Sequence, residues 1–123
     1  MSGAEAREAA LTALYEADQR RSPPEYADLI APARAFVEGV WEERTALDEA
    51  IGSASRRWRV ERMPPVDRNL LRIALWELRH RDATPTAVVI AEAVKLAKRF
   101  STERSGGFVN GVLARLASEE RSG

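Results

Sequence analysis

Residues with reactive side chains are present in this chain, but few fall into a catalytic pattern. The one histidine, His80, stands at the polar end of an apolar stretch with no nucleophile beside it, which reads as a surface residue rather than a general base. One histidine and no cysteine leave nothing from which to build a zinc site. The carboxylate pairs Glu42-Glu43 and Asp48-Glu49 lie in charged helical stretches and read as solvated faces, because paired catalytic acids need a cleft that separates their pKa values. Ser105-Gly106-Gly107 invites comparison with a phosphate loop. Such a loop, however, requires a lysine after its last glycine, and Gly111 is followed by Val112 and Leu113. The glycines read as a turn that lets a helix start tightly. Exposed N–H groups at that start make Ser105 to Asn110 a candidate phosphate or RNA contact. Residues 56 to 104 hold twelve basic side chains against six acidic ones, although the whole chain is neutral. That imbalance suits a local site for an anionic ligand. The chemistry legible here is binding, with no enzyme activity, metal or cofactor expected.

These side chains must be positioned by helices. Apolar residues recur at helical spacing throughout and strand-like alternation is absent. The first helix is expected over about Ala4 to Arg20, ended by Ser22-Pro23-Pro24. Tyr26 to Ile30 reads as a short turn. After Pro32 a stripe of Phe36, Val37, Val40 and Trp41 continues through Leu47, Ile51 and Ala54, with a break at Arg44-Thr45 and Thr45 as the cap of the second half. Trp58 to Met63 reads as a link. Pro65 opens a helix whose Leu70, Leu71, Ile73, Ala74, Leu75, Trp76 and Leu78 cover most of its sides, so that helix belongs at the centre of the core. Asp67 falls in its first turn, where the helix dipole favours a carboxylate. Thr84-Pro85 reads as a cap-and-proline start for a helix through Phe100, and a last helix follows from Phe108. Six or seven helices with short connections make an all-α bundle, and 123 residues with 45% hydrophobic content suit a single domain over residues 1–123. Met1 to Leu14 carries charges where a signal peptide is apolar, and no uncharged apolar run reaches 18 residues. A cytoplasmic protein with no membrane association is expected.

Three segments resemble the NusB family of bacterial transcription antitermination factors. The first is Ala6-Arg7-Glu8-Ala9-Ala10-Leu11-Thr12-Ala13-Leu14-Tyr15, and the second runs from Asp67 to Leu78 with its Leu71-Arg72-Ile73-Ala74 and Glu77-Leu78. The third and most specific joins Glu92-Ala93-Val94-Lys95-Leu96-Ala97-Lys98 to Phe108-Val109-Asn110-Gly111-Val112-Leu113. The resemblance implies two helical sub-bundles and binding of the boxA segment of ribosomal RNA leader transcripts. It further implies action together with the ribosomal protein NusE and, indirectly, with RNA polymerase and other elongation factors. Carried over by position, it implies RNA contacts at Arg7, Tyr15, Asp67 and Phe108, with Asp67 also at the NusE interface. Asn110 and Gly111 are expected to be structural, Asn110 by satisfying backbone groups and Gly111 by allowing close helix approach. The family's run of arginines before the first motif is missing, since Gly3, Ala4 and Glu5 stand there. Each lost cation removes a phosphate contact, so RNA binding is expected to depend on NusE. Two other readings are a docking module with reduced RNA affinity and the NusB-like domain of ribosomal RNA cytosine methyltransferases. Those enzymes carry catalytic cysteines, and this chain has none.

Overall fold

The computed structural model describes residues 1–121. Six α-helices follow one another: α1 (Gly3–Arg20), α2 (Ala31–Glu42), α3 (Arg44–Ala54), α4 (Pro65–His80), α5 (Thr86–Phe100) and α6 (Glu103–Glu120), with a 3-10 turn at Val60–Arg62. No strand occurs among the described residues, in keeping with the all-α expectation. No helix there is long and apolar enough to cross a membrane.

Helix α4 packs against each of the other five. Its Leu70, Leu71, Ile73, Ala74, Leu75 and Leu78 are all at most 2% exposed. At about 1.5–3 kcal/mol for each fully buried large aliphatic side chain, this helix anchors the core. Helices α1 and α2 pack on each other and on α4, as do α5 and α6, so the two sub-bundles share α4 as a common wall. Gly39 lets α2 approach closely: a Cβ there would stand 2.2 Å from the Trp76 indole.

The helix ends differ from the sequence reading in three places. Ser2 caps α1 through a capping box, its hydroxyl accepting from the Glu5 N–H while the Glu5 carboxylate accepts from the Ser2 N–H. The break between α2 and α3 falls at Glu43, which leaves Thr45 inside α3 and not at its cap. Thr84 does not cap α5 either. Pro85 takes the N-cap position, and the Thr84 carbonyl accepts from Arg121 at 2.7 Å. In both cases a cap-type residue occurs one or two positions early, and tertiary packing sets the boundary.

Candidate nucleic-acid interface

The start of α6 is built by hydroxyl groups. Thr102 is its N-cap, and its side chain accepts from the Ser105 N–H at 3.1 Å. The Ser105 hydroxyl lies 2.8 Å from that of Ser101 and 3.1 Å from that of Thr102. Because the cap is Thr102, Ser105-Gly106-Gly107 lies within the first turns of α6, and the expectation of a separate glycine turn is corrected. Each glycine has its own setting. Gly106 is buried beneath the stem of Lys98, where a Cβ would come within 2.8 Å of Cε. Gly107 and Gly111 would have nothing within 4 Å of a Cβ. Close helix approach therefore does not explain Gly111. Asn110 is exposed and has no side-chain hydrogen bond among the described residues, so it does not satisfy the backbone groups expected of it. The outer face of α6 is flat and open at Gly107, Asn110 and Gly111. Beside it, half-buried Phe108 meets Trp58 edge to face, with ring centroids 4.8 Å apart and planes at 69°.

Asp67 sits beneath the α5–α6 junction and is fully buried. Neither carboxylate oxygen has a partner at hydrogen-bonding geometry among the described residues. Burial pushes its carboxyl pKa up, and the nearby Ser105 and Ser101 hydroxyls only partly oppose this. Next to it, Val66 joins Leu11, Thr12, Tyr15, Glu16 and Phe100 in a shallow apolar groove. Tyr15 is 38% and Phe100 43% exposed, large values for aromatic side chains.

Arg7 is placed differently. Its Nε donates to Glu77 Oε2 at 2.7 Å and its Nη2 to Oε1 at 2.6 Å, a bidentate pair with Arg7 9% and Glu77 2% exposed. The Glu77 carboxylate holds the guanidinium pKa above its usual value. Tyr15 lies two turns further on, about 12 Å along α1 at 1.5 Å per residue. The four residues carried over from the family therefore divide. Tyr15 and Asp67 flank the α5–α6 junction, Phe108 lies one turn into α6, and Arg7 is tied to the far end of α4.

Much of the basic excess in residues 56 to 104 is neutralised by acids from other helices. Arg68 and Arg72 pair with Asp18 and Asp48 at 2.7 Å, Arg99 with Glu8 at 2.7 Å and Arg79 with Glu120 at 2.8 Å. Although burial works against it, bonding from Arg68 and Asn69 pulls the Asp18 carboxyl below its ordinary range. His80 is exposed and bonds Glu43, as a surface histidine would. Among the described residues no group of three His, Cys, Asp or Glu side chains is placed to hold a metal ion. Sequence reasoning passed over Phe100, taken as part of the core stripe, and Trp58, taken as part of a link. The alternation Arg56-Arg57-Trp58-Arg59 was the available signal for the second.

Comparison with known proteins gives a consistent assignment. The model of the NusB family matches residues 4–118. A Sorangium cellulosum protein named transcription antitermination protein NusB is 56% identical over 87 residues, spanning 71% of this chain and 62% of that relative. The structure of NusB from T. maritima superposes with a TM-score of 0.87 at 35% identity, covering 97% of this chain and 92% of the other. A structure of antitermination factors NusB and NusE in complex with dsRNA superposes with a TM-score of 0.83 at 26% identity, covering 94% and 96% of the two chains.

Proposed function

Because the chain belongs to the NusB family, we propose that it is a transcription antitermination factor that binds boxA RNA of ribosomal RNA leader transcripts together with NusE. The family acts by binding, and the chain is not an enzyme. The observation that carries the RNA reading is the outer face of α6. It is open at Gly107 and Gly111 and carries an unpaired amide at Asn110, and Phe108 with Trp58 stands beside it. A nucleic-acid backbone can approach such a face closely, the amide can bond a base edge, and aromatic rings accept unpaired bases. The groove of Tyr15, Val66 and Phe100 supplies an apolar surface for NusE, with buried Asp67 shaping its floor. Through NusE the complex joins RNA polymerase and other elongation factors in the cytoplasm.

Titration of boxA RNA with and without NusE, at stated salt, tests this reading. Weak binding alone and strong binding with NusE is the expected result. Equal affinity in both cases would overturn the dependence on NusE, and no binding in either would overturn the RNA role. A docking module with reduced RNA affinity is the second reading. It is favoured by the burial of Arg7, which removes the last cation of the family's N-terminal basic motif from free contact. It predicts NusE capture without RNA binding.

A further inference from the structure

The positive charge that ion pairs leave free gathers in one loop. Between α3 and α4, Arg56, Arg57, Arg59 and Arg62 face a single acid, Glu61. Among the described residues Arg59 reaches Glu61 only at 3.8 Å, with both side chains well exposed, and Arg56, Arg57 and Arg62 stand in no ion pair. Arg57, Trp58, Arg59 and Arg62 line a shallow depression with no acid in its wall. The loop is held in shape from both ends. The Ser55 hydroxyl donates to the Trp58 carbonyl at 2.6 Å and accepts from the Trp58 N–H at 3.3 Å. Beyond the 3-10 turn, Met63 is buried in the core at 2% exposure. The Trp58 ring packs against Phe108, and the Arg57 guanidinium lies 4.5 Å from the indole centroid. The indole is thus pinned by the protein on its inner side, while a long, flexible arginine covers it outside.

We propose that Arg57, Trp58, Arg59 and Arg62 form a subsite for an unpaired nucleotide of the RNA that crosses α6. The base stacks on the Trp58 indole with Arg57 as its second plane, and Arg59 and Arg62 take the flanking phosphates. This rests on the RNA reading above. A nucleotide matches the site better than an acidic peptide does, because it brings a flat ring and an anion together, whereas carboxylates would leave the indole unmatched. The nucleotide is unpaired because a base stacked in an A-form duplex presents only its edges.

The test is a titration of the full chain with NusE, using boxA RNA extended by a few unpaired nucleotides at each end, across a salt series. The double variant Arg57→Gln, Arg62→Gln changes exposed side chains only, so its thermal midpoint should match that of the parent chain. Its affinity should fall roughly tenfold, and its slope of log affinity against log salt should become shallower by about 1.4, the value for two single-strand phosphate contacts. Tryptophan emission should be quenched by RNA in the parent chain and much less in Trp58→Phe, which keeps an aromatic ring against Phe108. If the parent chain binds and the double variant shows the same affinity and slope, the subsite is refuted while the RNA reading stands. If the parent chain with NusE binds no RNA, the RNA reading itself fails. Equal competition by polyglutamate would assign the patch to acidic protein and overturn the proposal.

Discussion

Replacing Arg7 with leucine should cost about 3–5 kcal/mol of folding stability, the usual penalty for removing one partner of a buried ion pair. The geometry places this pair in that range. Arg7 is 9% and Glu77 2% exposed, and among the described residues Arg7 alone bonds both Glu77 carboxylate oxygens, at 2.6 and 2.7 Å. The guanidinium also lies 5.9 Å from the Phe36 ring centroid, a further contact that leucine does not reproduce. A domain of this size has a total stability of about 5–15 kcal/mol, so the loss is a large fraction of the whole. At about 4 °C for each kcal/mol, the thermal midpoint should drop by about 12–20 °C. Replacing both partners with leucine should recover most of the loss, because no unpaired charge then remains in the core. Urea unfolding followed by far-UV circular dichroism measures all three variants, and RNA titration with NusE is run on the folded protein. If Arg7→Leu costs less than about 1 kcal/mol, as an exposed pair would, and boxA affinity falls sharply, the structural role is refuted. Arg7 would then be an RNA contact.

Asp67→Asn tests the buried carboxylate. Because the folded pKa of Asp67 is raised, the native state binds more protons than the unfolded one above the ordinary carboxylate pKa. Its contribution is fully present below that value and is lost as pH rises through the raised folded pKa. The asparagine variant should therefore lose less stability over that interval, as measured by urea unfolding at a series of pH values. Gly111→Ala should stabilise the protein by up to about 1 kcal/mol, since the site is helical and open. A fall in RNA affinity despite that gain would mark close approach of the backbone at this face. Gly39→Ala should be strongly destabilising in thermal unfolding, because the new methyl group would overlap Trp76. Ala4→Arg should raise boxA affinity and steepen the salt slope by about 0.7. Adding Glu5→Arg should cost about 0.5–2 kcal/mol by removing half of the capping box.

The helices, their order and the central position of α4 were legible in the sequence, because apolar spacing at 3.6 residues and proline at helix starts are local signals. The family was legible for the same reason, since its motifs are contiguous runs such as Phe108 to Leu113. Whether a given charge is free could not be read locally. Arg7 and Glu77 are 70 positions apart, and Asp18 and Arg68 are 50 apart, yet each pair meets at 2.7 Å or closer. The dense basic stretch from residue 56 to 104 therefore looked like one surface. Folding divided it into arginines spent on distant acids and a few left free around Trp58. The glycines teach the same point. Gly39, Gly106 and Gly111 are alike in sequence, but an indole lies on the first, a lysine stem on the second and nothing on the third. Local sequence determines which helix a residue joins. Only the packing of helices against one another decides which side chains are used up inside the molecule and which are left for a partner.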